Sequence, residues 1–373
     1  MRWFRATLPV LVLPVILAVI PPVAVELAAE PVGRIEYLHG EAALLRDGEI
    51  VQGPALSPGE ELFGMEVIQT GSDGYVEVLL TTGGRAAVRI RENTAYYVDT
   101  ETRTDGGIRT RLRLLSGSLE IGVEQIARNS TMDVETRTAV IGVRGTEFDI
   151  LTAPDGSSLL GVRRGRVDLS TQGRQARVEE GLAVEMLPDS PPAGRVVPEG
   201  DFDRFYASWR ETRLRAFRSG APVFIQAYVR RFRDTEPSFQ ASYQELMRHR
   251  DRLREATRSD SPGPGADMRL RTEVSPAIIG MRSVLPLFEN TFYRLRELDR
   301  FHRQGIGRTM IDGEDSEDFF RRFARDERRL MGQLSEVRAV FRLYQEIEKR
   351  SFGGLPGGES PFGGAGLLDS MRF

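Results

Sequence analysis

The chain has 373 residues, of which 40% are apolar and 28% are charged, and its formal net charge is −3. This composition is typical of a globular protein with more than one domain, and it excludes a disordered chain and a general polyanion binder. The chain has no cysteine and one lysine, Lys349, which excludes disulfides and thiolate metal sites and leaves almost no residue for Schiff-base chemistry.

An apolar segment follows the first few residues. Arg2 and Arg5 precede an uncharged run over residues 6–25 that contains four prolines. A basic start followed by an apolar run is typical of an export signal, and this run is just long enough to span a bilayer. We predict a signal peptide or an uncleaved anchor over residues 1–29, in contact with the inner membrane. The rest of the chain is then periplasmic or otherwise in the cell envelope.

Residues 32–187 have the pattern of an all-β domain. Segments such as Tyr75–Leu80, Arg85–Ile90 and Arg111–Leu115 alternate apolar and polar residues, and glycine-rich turns separate them. Glycine corners at positions 117, 145 and 165 also form a weak internal repeat, at spacings in the range of solenoid coils. The pattern therefore predicts either a solenoid-like or a sandwich-like β-domain.

Residues 136–150 read T-R-T-A-V-I-G-V-R-G-T-E-F-D-I, with two glycines three positions apart. A phosphate-binding loop is excluded because Gly145 is followed by Thr146 and Glu147 rather than by lysine and a hydroxyl residue. Instead, Gly142 and Gly145 predict a sharp corner between β-strands.

The residues around this corner are the candidate site. Alternation places Phe148 and Ile150 in the core, and Arg144 either holds the corner through carbonyls or Glu147 or contacts a partner directly. The motif residues that we single out for partner binding are Gly142, Arg144, Gly145, Thr146, Glu147 and Phe148.

The segment T-A-V-I-G-V-R-G-T-E-F-D-I resembles the hallmark of the FecR-type periplasmic domain family of iron-dicitrate sensor-regulators. L-S-P-G-E-E-L from Leu56 and V-I-Q-T-G-S-D-G-Y-V-E-V-L-L from Val67 resemble its opening strands, so that the likeness covers residues 33–187. The resemblance implies a non-catalytic, envelope-facing module that binds other proteins and relays signals. Only about seven residues precede the apolar run. We therefore expect a stand-alone exported form that lacks the family's cytoplasmic sigma-factor-binding region.

A proline-rich segment, residues 188–200, predicts a linker, and helical periodicity fills residues 201–350. The periodicity predicts one segment ending near Gly220, a second after Pro222 that Pro237 interrupts, and a third from about Pro276 to Arg303.

The clearest helix spans about residues 316–350. Its apolar seam is interrupted only by Glu327 and consists of Phe320, Phe323, Leu330, Leu334, Val337, Phe341 and Tyr344. The seam predicts either an antiparallel bundle within the chain or a coiled coil with another copy. The glycine-rich tail, residues 351–373, is predicted to be disordered.

Three functions remain open for this α+β chain of separate β and helical domains. The first is a non-enzymatic interaction module that binds envelope proteins, without cofactor, metal or nucleic acid, and with a helical domain for oligomerisation or docking. The second is an envelope structural or peptidoglycan-binding role, in which Tyr96, Tyr97 and Trp209 stack on sugars. The third is a hydrolase that uses Glu147 and Asp149 as paired carboxylates. His39, His249 and His302 lie far apart and have no metal-ligand spacing.

Overall fold

The computed structural model describes residues 30–103, 105–188, 190–258 and 264–352. The predicted export segment, residues 1–29, and the tail from residue 353 lie outside the described residues. Over the described ranges, no helix combines the length and the apolar character needed to cross a membrane. The strands of two large sheets precede the helices, which confirms the predicted α+β fold class.

The β-domain is a sandwich of two sheets. Its strands run from residue 33 to residue 196: β1 Gly33–His39, β2 Ala42–Arg46, β3 Glu49–Gln52, β4 Glu61–Leu62, β5 Val67–Thr70, β6 Tyr75–Leu80, β7 Gly84–Ile90, β8 Ala95–Thr102, β9 Ile108–Ser116, β10 Ser118–Ile126, β11 Thr131–Glu135, β12 Ala139–Val143, β13 Glu147–Thr152, β14 Ser158–Arg164, β15 Arg166–Thr171, β16 Arg174–Glu179, β17 Leu182–Met186 and β18 Ala193–Val196.

Each sheet has nine strands among the described residues. Sheet A has the order β18-β17-β14-β13-β10-β7-β6-β1-β4, and sheet B has the order β16-β15-β12-β11-β9-β8-β5-β2-β3. Among the described pairings, all are antiparallel except the parallel pair of β9 and β11. A solenoid would stack parallel strands, so the structure selects the sandwich of the two predicted forms.

Alternation along each strand builds the core between the sheets. In β6, Val76, Val78 and Leu80 are buried, whereas the residues between them are half-buried. The inward residues of both sheets form one apolar cluster that includes Phe148 and Ile150. Since a strand has a side-chain period of two, the opposite row of each strand faces outwards, towards solvent or the helices.

Glycine corners carry the chain from one sheet to the other. Gly117, Gly145 and Gly165 have φ angles of +91°, +62° and +79°, a conformation that other residues rarely adopt. Gly145 and Gly165 lie at one end of the sandwich, where a Cβ atom on Gly165 would lie 3.0 Å from the Gly145 carbonyl oxygen. Gly117 lies at the opposite end. Gly142 differs from the prediction, because it is an ordinary strand residue of β12 paired with Asp133 and Asp168.

We expect Gly117→Ala to lower the free energy of unfolding by about 2 kcal/mol or more. Its new Cβ atom would lie 2.5 Å from the Thr94 Cα atom, so backbone as well as the φ angle must adjust. Gly173→Ala is the matched control, because Gly173 has a φ angle of +71° but no atom of a described residue lies within 4 Å of the added Cβ. Urea denaturation should show the larger loss for Gly117→Ala, and equal losses would contradict the close packing of this corner.

In the described part of the chain, four helices follow the sandwich: α1 Phe202–Met247, α2 Arg250–Arg258, α3 Pro264–His302 and α4 Ser316–Phe352. A small hairpin, β19 Met310–Ile311 and β20 Glu314–Asp315, joins α3 to α4. The predicted breaks within α1 are absent, since Pro222 and Pro237 both lie inside it. An internal proline costs about 3 kcal/mol of helix stability. Burial of neighbours such as Ala221, Ile225 and Phe239 against the other helices offsets that cost.

The segment between sandwich and helices is more ordered than the predicted linker. Ala193–Val196 form β18, which pairs with Leu182–Met186 at the edge of sheet A. Prolines flank this short strand, and an edge position tolerates them because one side of the strand needs no hydrogen-bond donors. The segment A-G-R-V is a strand because it pairs with β17, and its own sequence does not indicate one.

The helices form a bundle that also covers the outer face of sheet B. The predicted α4 seam lies in the same apolar cluster as Leu45, Val67, Ala95 and Tyr97 of sheet B. Glu327 in that seam accepts a hydrogen bond of 2.6 Å from Arg296. The seam is therefore buried within the chain, and self-association through the helical region, which remains a prediction, would need another face.

A charged pair lies in the interface between bundle and sandwich. Arg338 of α4 is 1% exposed and forms an ion pair with Glu289 of α3. The Arg338 guanidinium carbon lies 4.8 Å from the ring centre of Tyr97, which belongs to sheet B. Burial lowers the pKa of Arg338 to about 10. The interface thus contains a desolvated cation, Arg338, whose charge is balanced by the carboxylate of Glu289.

His302 joins the end of α3 to the start of α4. Its Nε2 atom lies 2.9 Å from the Ser316 hydroxyl, which accepts a hydrogen bond from the Thr309 amide. Burial lowers the pKa of His302 from its ordinary value, more than the nearby Asp299 raises it. The folded state therefore favours the neutral imidazole, and the unfolded chain binds the proton more readily.

We expect acid to destabilise the fold in part through His302. Because the folded pKa is depressed, the contribution is present above the unfolded pKa of about 6.5 and is lost as the pH falls through the folded pKa. Thermal midpoints measured from about pH 7.5 to about pH 5 should fall more steeply for the native chain than for His302→Gln. His249→Gln is the control, and parallel pH profiles for native and His302→Gln proteins would contradict this expectation.

Candidate interaction surface

The segment singled out by its two glycines forms a strand, a corner and a strand. β12 brings the chain to Arg144 and Gly145, and β13 leaves from Glu147 on the other sheet. Phe148 and Ile150 are fully buried between the sheets, as predicted. The apolar half of the motif is therefore structural, and only its corner reaches the surface.

Arg144 does not hold the corner in place. Its side chain is exposed and has no hydrogen bond or ion pair with any described residue, so the expected contact with Glu147 or with carbonyl groups is not formed. Thr146, directly behind the bend, is 4% exposed, and its hydroxyl has no partner in the described part of the chain. The φ angle of Gly145 and the ladder of β13 are sufficient to form the bend without an arginine contact.

Three more arginines lie at the same end of the sandwich. Arg164 and Arg166 flank Gly165, whose corner touches that of Gly145. Arg128 lies in the turn before β11, whose Met132 pairs with Val143. We call the exposed surface formed by Arg128, Arg144, Arg164 and Arg166 the corner surface.

The sequence contains a signal for two of these three further arginines. G-V-R-R-G-R, which begins at Gly161, repeats the G-V-R-G of the motif and contains Arg164 and Arg166. Arg128 has no such signal. Its position near the corner follows from the antiparallel pairing of β11 with β12, which places Met132 opposite Val143.

Carboxylates also lie at this end. Glu147 is opposite Arg164 in the pairing of β13 with β14, and Glu179 is opposite Arg166 in the pairing of β15 with β16. Neither pair approaches within ion-pair distance. Glu180 accepts a hydrogen bond of 3.0 Å from the Gly165 amide. The corner surface is thus rich in guanidinium groups that keep their hydrogen-bonding capacity free.

A latch beside the corner surface attaches α1 to sheet A. The bulge between β13 and β14 leaves Arg163 without a cross-strand partner, and its Nε atom donates to Asp149 Oδ2 at 2.6 Å. Arg163 also bonds Asp203 of α1 at 2.7 Å, and the Tyr206 hydroxyl donates to Asp149 at 2.8 Å. We call Asp149, Arg163, Asp203 and Tyr206 the latch. Arg163 and Arg164 are consecutive, so the latch begins where the corner surface ends.

The latch changes the interpretation of Asp149. Desolvation raises its pKa, although the attraction of Arg163 acts in the opposite direction. Its two partners, Arg163 and Tyr206, both belong to the contact between α1 and sheet A. The Asp149 carboxylate therefore helps to attach α1 to the sheet. A pairing of Asp149 with Glu147 in hydrolysis would require its release from Arg163 and Tyr206.

The aromatic residues considered for sugar stacking are buried. Tyr96 and Tyr97 are 1% and 6% exposed, and Trp209 is 6% exposed, with its indole nitrogen 2.7 Å from Glu185. Their core positions follow from sheet B pairing and from the start of α1, and not from their own sequence. On the outer face of sheet A, in contrast, Tyr37 is 49% exposed and its ring centre lies 6.1 Å from that of Tyr75.

Over the described ranges, no group of three or more His, Asp or Glu side chains is placed to hold a metal ion. His39 is exposed, His249 is half-buried, and His302 is buried between helices.

Part of the sandwich matches a known protein family. Residues 66–168 match the family described as FecR protein. No curated protein matches the chain.

Two crystal structures of one protein from Parabacteroides distasonis, described as a candidate anti-sigma factor, are similar to it at 15% sequence identity with a TM-score of 0.32. The likeness covers 38% of this chain and 64% and 63% of the crystal chains, so this chain spans less than two thirds of that protein's length.

Proposed function

Given that residues 66–168 are a FecR domain, we propose that this protein is a non-enzymatic component of signal transduction that acts through protein–protein contact. The sandwich receives a partner at the corner surface, and the helical region passes the change on to a second partner or a second copy. The observation that carries this proposal is the adjacency of Arg164, on the corner surface, to Arg163, in the latch that holds α1.

The adjacency of Arg164 and Arg163 provides a physical route from the corner surface to α1. A partner that moves Arg164 displaces the bulge at Arg163, and Arg163 holds both Asp149 and Asp203. Loss of those two bonds weakens the attachment of the first turn of α1 to sheet A, to which Trp209 and its neighbours also pack. A signal relay needs two sites that share one movable element, and α1 with its latch supplies that element.

The test is site-specific crosslinking in the native cell. A photoreactive residue in place of Arg144 should give one defined crosslinked product, whereas the same residue in place of Arg174 should not, because Arg174 lies at the opposite end of the sandwich. Deletion of the gene should change a defined set of transcripts, and Arg163→Ala should reproduce that change at equal protein level. A deletion without any transcript change, together with no crosslink at position 144, would refute the relay.

Export to the cell envelope is part of the proposal, and the basic and apolar start of the chain supports it. Fractionation of cells followed by N-terminal sequencing of the protein tests both points. A mature N-terminus near residue 30 in the envelope fraction indicates a cleaved signal, and an intact N-terminus in the membrane fraction indicates an anchor. Recovery of the intact chain in the cytoplasm would contradict export.

A second function is favoured by Tyr37, which is exposed on sheet A beside the half-buried Tyr75. Aromatic rings on an open face can stack on sugars, which would give the sandwich affinity for peptidoglycan. Sedimentation with purified cell wall tests this function. Retention of the native protein but not of Tyr37→Ala would support it, and no sedimentation would exclude it.

A further inference from the structure

The arginines of the sandwich differ in whether they form ion pairs. Most form ion pairs even where they are well exposed, as do Arg85 with Glu124 at 2.8 Å and Arg34 with Glu36 at 2.6 Å. The four arginines of the corner surface form none with any described residue. They concentrate at one end of a domain that is otherwise acidic, since residues 1–200 contain 20 basic and 28 acidic side chains.

The corner surface confines these groups to a small area. Gly145 and Gly165 touch, Arg144 precedes the first, and Arg164 and Arg166 flank the second. Their three Cα atoms therefore lie within about two or three strand spacings of one another, on the order of 10–15 Å. A guanidinium group presents five donors in a planar fork that matches a carboxylate in a bidentate pair.

We propose that the corner surface binds an acidic segment of a protein partner, with Asp or Glu carboxylates paired to Arg144, Arg164 and Arg166. This inference rests on the proposed function and names the chemistry of the partner at the same surface. Charge complementarity selects such a segment, because the guanidinium groups are the exposed donors that the fold leaves unused. A nucleic acid fits less well, because the acidic remainder of the sandwich repels an extended phosphate backbone.

Two carboxylates lie beside the arginines of the corner surface. Glu147 and Glu179 lie opposite Arg164 and Arg166 without pairing with them, so their negative charges repel an incoming carboxylate. Removal of the Glu147 charge should therefore strengthen the binding of an acidic segment. A merely structural role for these residues predicts no such gain.

The experiment measures the binding of a fluorescent peptide of alternating glutamate and glycine to the full chain by fluorescence anisotropy. Lysine–glycine and serine–glycine peptides of equal length and a DNA duplex are the comparison probes. We expect the acidic peptide to bind best, with an affinity that falls as salt rises from about 0.05 to about 0.5 M. Triple charge reversal, R144E/R164E/R166E, should weaken binding about tenfold or more, and Glu147→Gln should strengthen it.

Arg174→Glu is the matched control, because Arg174 is also exposed and free of ion pairs with described residues but lies at the other end of β16. It should leave the affinity unchanged, and thermal melting should show that the triple variant is folded. The inference is overturned if the serine–glycine peptide binds equally well, if DNA binds more tightly than the acidic peptide, or if the triple variant is unaffected. A crosslink at position 144 in such a case would leave the relay intact and remove only its acidic partner.

Discussion

Phe148→Ala is expected to lower the free energy of unfolding by about 3–5 kcal/mol. Phe148 is fully buried between the sheets, within the cluster that also holds Ile121 and Ile150. Truncation removes the apolar surface of the ring and leaves a cavity that two hydrogen-bonded sheets cannot easily close. The loss is large because β13 is an internal strand of sheet A, with β10 on one side and β14 on the other.

Chemical denaturation followed by circular dichroism measures this loss, and Arg144→Ala is its control within the same motif. Arg144 is exposed and has no partner among the described residues, so its removal should change stability by less than about 0.5 kcal/mol. A large loss for Arg144→Ala would show that the arginine supports the bend after all. A small loss for Phe148→Ala would contradict the packing of the two sheets.

Glu289→Ala is expected to destabilise the protein by about 3–5 kcal/mol, because it leaves Arg338 buried without a counter-charge. Arg338 is 1% exposed, and its Nε and Nη1 atoms have no hydrogen-bond acceptor among the described residues, so Glu289 is its main support. The Tyr97 hydroxyl, 3.5 Å from Glu289, loses its acceptor in the same variant. The loss should appear mainly as a weaker attachment of α3 and α4 to sheet B.

The double variant E289L/R338M separates charge from packing. Replacement of both charges by apolar side chains removes the desolvation cost, so the double variant should be more stable than Glu289→Ala and close to the native protein. Thermal unfolding of the native, single and double variants gives the comparison. A double variant that is less stable than Glu289→Ala would mean that the ion pair contributes more than its desolvation costs.

Local sequence patterns were sufficient to predict elements whose buried face can be identified from their own residues. The alternation of Y-V-E-V-L-L predicts β6 at Tyr75–Leu80, and the seam of three and four residues predicts α4 to within two residues at its end. The corners at Gly117, Gly145 and Gly165 were also predictable, since their positive φ angles favour glycine. In each case the signal and the structure lie within the same short stretch of chain.

Features that depend on distant partners were not predictable in this way. Trp209 and Phe217 share one apolar stripe in the sequence, but Trp209 packs on sheet A and Phe217 packs in the bundle. β18 exists because β17 offers it an edge, and α1 continues through Pro222 because the bundle covers that turn. At the candidate site, the sequence motif identified Arg144. Arg128 and the latch could be identified only from strand pairing and side-chain contacts in the structure.

The continuity of α1 has a mechanical consequence. The helix has 46 residues and is therefore about 70 Å long, with its first turns on sheet A and the remainder in the bundle. If α1 moves as one unit, a tilt of a few degrees at the latch moves its distant end by several ångströms. A small local rearrangement at the latch thus becomes a displacement that another molecule could sense.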